Sequence, residues 1–578
     1  MKKKIYKNLI TTGLKEIKGG KDDLFLGEWC LVNNKLKDNQ NKYEVCDYHL
    51  NIKKKLQIGH IYLTSLYKKI LPAVSQSLNV YHGTKKSKKY WEIIVGPTLV
   101  QLLSILWDRW QTISIAVKKH RILQIPIVNY SSQDFITQDF NDLFTKVSTH
   151  YWNNCIFSEL IKKNFKVKIA KIKRKKKYTK KRPFNYWSKN KLLKEFKSFQ
   201  SKKCKFIFFD EKLNDYNLLK FCLTQGSFFN KHNVFTRNIE LKKKINQRNI
   251  TINFNTQNSF EKIIVRKIIN FFPISHLEGM NKIRAITKKI NLKSKYIFTV
   301  YGHVNNDFFK VWLAEQIESK NSKLIIAHHG GTIEKEVNFN SWENVSDKLI
   351  GWGKKDKPSK KYIQLNPNFL DKEGQNLKKI YKIFFKNRIL FFTSSSSLYT
   401  YRLEDRVLSS QIMSYLNHWK FFFNNLPLKL KNKIIIRNNP QFDPWNLNKN
   451  LNSFFKRKVC SNIKDVYKDI YSSKILINTS ISTTFFQSMD SGIPTMLLLK
   501  DDLWNLSLNG KKIYNIFKKN KIIFTNPNQM VDHLITIYKD PIIWWNAKET
   551  VEARNLFNEH FMKNGDFNDW CKYLKSLK

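Results

Sequence analysis

A chain of 578 residues, 42% of them hydrophobic, holds enough apolar material for two or three cored domains and predicts a soluble, globular protein. Its seven cysteines, at positions 30, 46, 155, 204, 222, 460 and 571, form no CxxC pair and no metal-ligand spacing, which predicts reduced thiols rather than a disulfide framework or a zinc site. The formal net charge of +59 raises nucleic acid as a partner, because a basic face releases counterions on binding phosphates, but the basic residues are dispersed and no zinc-finger, RNP or recognition-helix pattern accompanies them.

The opening "MKKKIYKNLITTGLKEIKGG" is basic but lacks an apolar stretch and a small-residue cleavage site, so no export signal is expected and the location reads as cytoplasmic. "DDLFLGEWC" (22–30) predicts a short buried strand ending at Gly27, where the chain turns and presents Glu28; open α/β sheets place their chemistry after such strands. Apolar positions at helical spacing over 60–80 and 90–118 predict two long helices. The run from Ile93 to Trp107 is interrupted by Gly96, Pro97 and Gln101 and meets Asp108 and Arg109; it falls short of the roughly 20 residues of a membrane span and predicts a buried helix. "QIPIVNY" (124–130) reads as a return strand.

From Lys166 to Arg182 stand eleven Lys or Arg and no acid, and the Lys/Asn-rich character persists to about residue 250. Such a run reads first as a solvated insertion, over about 160–250, with a membrane surface or polyanion second and nucleic acid third. An abundance of Asn, Ile, Phe and Tyr alongside lysine fits AT-rich codon drift, which spreads lysine over solvated surfaces. The surplus still favours anionic substrates or contact with an anionic membrane surface.

Strand and helix then alternate: "KYIFTVYG" (295–302), a helix over 308–320, "KLIIAHHGG" (323–331), "RILFFTSSSS" (388–397), a helix near 404–425, "NKIIIRNNP" (432–440), a short helix near 463–471, and "KILINTS" (474–480). This alternation predicts parallel sheets in two doubly wound, Rossmann-like domains, 1–372 and 380–545, followed by a helical tail, 546–578, that packs back on the body.

Several residues carry candidate chemistry. Ser482, Thr483 and Thr484 sit where a helix leaves its first N–H groups unpaired and half a positive charge exposed, a place for phosphate; an ordinary Ser/Thr cap is the bland alternative. Ser394 and Ser395, in a Ser-rich turn after a strand, read as a second phosphate cradle or a plain loop. Arg437 ends a strand with a fork suited to phosphate. His328 and His329 stand before Gly330 and Gly331 at a strand end, one ring facing the packing and the other outward, where an imidazole can exchange a proton near neutral pH or simply be structural. Glu28 is the candidate general base or a turn cap, and Asp108 with Arg109 a buried ion pair or part of a cleft.

The blocks "LFLGEWC", "YHGTKKSKKYWEIIVGP", "LWDRW", "AHHGG" with "SDKLIGWG", and "STTFFQSMDSGIPT" resemble, in order, those of a family of bacterial transferases from O-antigen and other surface-carbohydrate gene clusters. The resemblance implies two Rossmann-like domains facing a cleft, similar to GT-B glycosyltransferases and CDP-glycerol-type polymerases. It also implies a nucleotide-linked donor, bound by the C-terminal domain as a substrate rather than as a resident cofactor, and a glycan or lipid-linked acceptor. By position it carries roles onto Arg437, Ser482, Thr483, Thr484, His329, Gly330 and Gly331, with His82 in the second block. His328 stands where the family has Gln, and Gln487 replaces the helix acid that holds the donor ribose in many GT-B enzymes, leaving Asp490 as its substitute. The resulting expectation is a GT-B-like, metal-independent sugar transferase; a CDP-linked phospho-polyol transferase, a polyanion or nucleic-acid binder and a sugar-nucleotide epimerase are the alternatives.

Overall fold

The computed structural model describes residues 3–32, 43–162, 164–175, 203–210, 221, 248, 250–290, 292–331, 341–356, 359–367, 387–394, 396–403, 407–439, 442–500, 504, 506–563, 565 and 567–577. Ser395 and the expected boundary between 372 and 380 lie outside them. The fold is α/β and built on three five-stranded sheets in which every pairing is parallel.

The first sheet contains β1 (Ile5–Ile10), β2 (Leu24–Phe25), β3 (Glu44–Val45), β4 (Arg121–Val128) and β5 (Lys168–Ile172), ordered β3-β2-β1-β4-β5. Helices α1 (Lys53–His82) and α2 (Lys88–Lys119) cross over from β3 to β4, and α3 (His150–Ile161) follows β4. Although α2 is long and apolar enough to span a membrane, 89% of its most apolar window is buried inside the protein, so it is a core helix, as its interruptions predict.

The second sheet, β6 (Lys203–Phe209), β7 (Lys293–Thr299), β8 (Lys323–Ala327), β9 (Lys348–Gly351) and β10 (Tyr362–Gln364), runs in simple succession with β8 at its centre; α4 (Asp307–Lys320) connects β7 to β8. The third contains β11 (Ile389–Phe392), β12 (Ile434–Arg437), β13 (Ile475–Asn478), β14 (Thr495–Leu498) and β15 (Ile523–Phe524), ordered β12-β11-β13-β14-β15. Helix α5 (Gln411–Asn425) follows β11 and α6 (Thr483–Asp490) follows β13.

Two sheets therefore fall within 1–372, where one is expected. Part of the basic run is strand, not solvated insertion: β5 lies inside Lys166–Arg182 and pairs with β4, and β6 pairs with β7. Both are edge strands, where lysine discourages pairing with a further chain. The C-terminal helix α7 (Phe567–Ser576) returns to the second sheet, its Trp570 indole N–H donating to the Asn366 carbonyl at 3.0 Å while the ring packs among Phe298, Ile325 and Leu365.

The topology dictates where a ligand can enter. In the first and third sheets the strand order reverses direction, between β1 and β4 and between β11 and β13, and such reversals open a crevice at the carboxyl ends of the strands. The second sheet has no reversal, but its central β8 ends in the His-His-Gly-Gly turn.

Candidate functional site

Strand β13 is buried along its whole length and delivers the chain to α6 at the reversal of the third sheet. Ser482 is the N-cap residue, with extended backbone, yet its hydroxyl makes no capping bond. The Ser482 carbonyl accepts from the N–H groups of Phe485 and Phe486, so the helix is closed from its second turn. Its mouth, the N–H groups of Thr483 and Thr484, takes no backbone partner among the described residues. Ser482, Thr483 and Thr484 are half-buried. Across the reversal the Ser394 hydroxyl stands 3.2 Å from that of Thr479, which donates to the Phe392 carbonyl. A ring of hydroxyls thus borders unpaired N–H groups, the arrangement that receives anionic oxygens.

The turn after β8 faces this mouth. A Cβ placed on Gly330 would lie 2.6 Å from Thr483 Oγ1, and one on Gly331 would lie 2.5 Å from Phe486 Cε1 and 2.6 Å from Trp352 Cε3. Close approach makes glycine necessary at 331, where packed rings surround the position, and leaves 330 in contact with the Thr483 side chain: the turn of the second sheet lies directly against the helix of the third. His328 is half-buried, anchored by its backbone N–H to the Ile350 carbonyl (2.8 Å), with its ring near Trp342 and Tyr362. His329 is exposed, its ring 5.4 Å from that of Tyr301. The expected division of the pair into packed and outward rings is the arrangement present.

The carboxyl edge of the first sheet carries the candidate carboxylate. Glu28 begins a 3-10 turn just after β2, and its backbone N–H donates to the Ser410 hydroxyl at the start of α5 (3.2 Å). Burial pushes its carboxyl above the usual carboxylate range, and among the described residues no cation pairs with it. At the carboxyl end of β1, Thr11 and Thr12 carry buried hydroxyls with no partner among the described residues. Beyond them the Gly13 N–H donates to His150 Nδ1 (3.2 Å), which also accepts from the Tyr399 hydroxyl (2.7 Å). With Nδ1 accepting from two donors, the neutral ring carries its proton on Nε2; burial lowers its pKa to about 4 and keeps it neutral. The composition of "LITTG" could have pointed here, since it repeats the strand-then-hydroxyl pattern of "TSSSS".

Other expected site residues are placed elsewhere. Arg437 donates to the buried Asp469 (2.5 Å) and to the carbonyls of Ile463 (2.7 Å) and Lys464 (2.9 Å), and Asp469 also receives Arg388 (2.7 Å); this fork secures the chain around Asp469 instead of reaching the α6 mouth. Asp490 ends α6, roughly 10 Å along the axis from its start at 1.5 Å per residue, too far to touch a phosphate at the mouth. His82 closes α1: its Nε2 lies 3.0 Å from the His276 carbonyl, its ring stacks on Trp91, and burial lowers its pKa to about 4. That makes it a packing histidine of the helical layer.

Asp108 and Arg109 are buried, not cleft-lining. Asp108 accepts from Tyr48 (2.8 Å) and Arg109 (2.7 Å) and lies 3.0 Å from His49 Nε2. Burial pushes its carboxyl up, but His49, Arg109 and Tyr48 together hold it below the usual range. Arg109 also donates to Asn153 Oδ1 (2.8 and 3.0 Å) and to the Thr400 carbonyl, with Tyr399 stacked near its guanidinium. The network fastens α2 and α3 to the loop that leaves β11, holding the first and third sheets together. Among the described residues no group of three or more His, Cys, Asp or Glu gathers as a metal site.

Solved structures similar in part include the wall teichoic acid polymerase TagF (12% identity, 64% of this chain and 88% of that one, TM-score 0.32). Also similar are Anabaena HepE in complex with UDP and glucose (10%, 65% and 100%, TM-score 0.34) and the trehalose-6-phosphate synthase OtsA (11%, 65% and 99%, TM-score 0.35). No curated protein matches the chain in sequence. A family model described as LIC12162 family transferase matches residues 7–577, nearly the whole length of the chain, and the chain belongs to that family of transferases.

Proposed function

We propose that the protein transfers a sugar from a nucleotide-linked donor to the hydroxyl of a surface-polysaccharide precursor, in a GT-B-like cleft. The observation that carries this reading is the mouth of α6 with Gly330 held against Thr483: N–H groups that take no backbone partner and three hydroxyls border a turn that presents backbone in place of side chains, the arrangement that receives phosphate oxygens. In the reaction the acceptor oxygen attacks the sugar's anomeric carbon as the bond to the diphosphate breaks. The departing negative charge is received by the N-terminus of α6, and Glu28 takes the acceptor proton. Burial raises its pKa, which makes that carboxylate a stronger base than an ordinary exposed one. His329, exposed beside Tyr301, orients the acceptor or the donor. No cation is required by this scheme, so turnover should survive EDTA.

Thermal stabilisation against UDP, GDP, CDP and CMP, followed by product analysis with the donor that binds, tests the reading. A nucleoside diphosphate leaving group supports sugar transfer; release of CMP identifies phospho-polyol transfer instead. Conversion of a UDP-sugar without acceptor identifies an epimerase, and binding to polyanions with a steep salt slope and no turnover removes the enzymatic reading.

A further inference from the structure

Helix α1 carries an outer face of isoleucine and lysine. Positions 54, 58, 61, 65, 68 and 72 recur at three- and four-residue spacing and form one stripe. On and beside it Ile52, Ile58 and Ile61 are 51%, 56% and 72% exposed, and they stand among the exposed Lys53, Lys54, Lys55, Lys68 and Lys69. No acid occurs in sequence between Asp47 and Glu92, and Glu261, which packs against α1 and accepts from Tyr62, is itself buried. Three lysines in the first helical turn oppose the helix dipole, which favours acids there, and Ile52 supplies no side-chain cap. Neither helix stability nor packing accounts for apolar side chains ringed by cations in water.

That combination is complementary to an anionic bilayer: isoleucines enter the acyl boundary while lysines meet lipid phosphates. Its position gives it a use. The segment entering α1 is fixed to the third sheet, with Leu50 accepting from Gln411 Nε2 (2.9 Å) and Tyr48 paired with Thr400. Because α1 follows β3, it starts at the carboxyl edge of the sheet, the edge that presents Glu28. We infer that the first turns of α1 seat the protein on an anionic phospholipid surface with the cleft opening toward it, so that the acceptor is borne by a lipid. The acceptor class rests on the proposed transferase reading; the membrane contact does not.

The test is sedimentation with vesicles of phosphatidylcholine, alone or mixed with phosphatidylglycerol, without donor or acceptor, so that its outcome is independent of activity. Wild type partitions onto the mixed vesicles. Ile58→Ser/Ile61→Ser, which keeps every charge, lowers partitioning by about tenfold or more, and Lys53→Gln/Lys54→Gln/Lys55→Gln flattens its salt dependence. A control at another exposed apolar pair, Ile542→Ser/Ile543→Ser, leaves partitioning unchanged. Turnover on a soluble acceptor analogue is unchanged in all three variants. Undiminished partitioning in the Ile58/Ile61 variant, or an equal loss in the control, overturns the inference. Loss of a dimer in that variant with vesicle binding intact assigns the face to a second copy of the chain and overturns it too.

Discussion

Gly330 and Gly331 are neighbours with opposite consequences. An alanine methyl at 331 would sit 2.5 to 2.7 Å from atoms of Phe486 and Trp352, which are 0% and 2% exposed and have no space to yield. Ordinary contact lies at 3.4–4 Å, so the second and third sheets must separate locally or the rings must leave their rotamers. Overpacking of this kind costs about 1–3 kcal/mol, or roughly 2–4 °C of Tm per kcal/mol for a cooperative unit of about 150–250 residues. At 330 the methyl meets only the Thr483 hydroxyl, which can rotate away. Gly330→Ala should therefore stay within about 0.5 kcal/mol of wild type yet weaken nucleotide binding, because the displaced hydroxyl and the new methyl both crowd the α6 mouth. Thermal melts and nucleotide titrations of the two variants measure the contrast. A cycle through Thr483→Ala sharpens it, since Gly330→Ala should cost less binding once Oγ1 is gone. Wild-type melting of Gly331→Ala, or full nucleotide affinity in Gly330→Ala, would refute the packing of the turn against the helix.

Replacing Ser482, Thr483 and Thr484 together with alanine should abolish nucleotide-induced stabilisation. It should cost less than the roughly 1 kcal/mol of a lost N-cap, because the Ser482 hydroxyl makes no capping bond; a large stability loss with binding intact contradicts the assignment. Glu28→Gln should lower turnover about 10²-fold or more and spare donor binding. In wild type the acid limb of the pH–rate profile should lie above the ordinary carboxylate range, activity rising as pH rises through the raised Glu28 pKa. The same shift disfavours folding once the carboxyl ionises: its stabilising contribution is present below the ordinary carboxylate pKa and lost as pH rises through the raised value. Glu28→Gln should therefore melt higher than wild type near neutral pH. Arg437→Ala should lower Tm, since Asp469 keeps only Arg388 as a cation and a broken buried pair costs up to about 3–5 kcal/mol; donor affinity per folded molecule should be unchanged, and its selective loss would return Arg437 to the site.

Much of this molecule is legible from its residues. Strand-helix alternation after residue 295 predicts β7, α4, β8, β11, β12 and β13 to within a few residues, because buried parallel strands are continuous apolar runs. The glycines after His329 and the hydroxyls at Ser482 mark the two faces that meet. What stayed hidden depends on tertiary partners or on masking by lysine. Strand β1 is central to its sheet, but "IYKNLI" lies in a Lys-rich opening, and β5, "KIAKI", lies inside a basic run that also describes a solvated loop. Residues Asp108 and Arg109 match the buried-pair reading, yet their attachment to Thr400 spans nearly three hundred residues of sequence. The position of Arg437 at a strand end is visible, whereas its capture by Asp469 is not.

The central claim is that a nucleotide's phosphates lie at the mouth of α6 against the turn after β8. Hydrogen–deuterium exchange of the full chain, with and without the nucleoside diphosphate that stabilises it, tests this most directly. The account predicts slowed exchange at Thr483 to Phe486 and at His328 to Gly331, lost in the triple alanine variant. Slowed exchange confined to other elements, with both of these segments unchanged at saturating nucleotide, would contradict it.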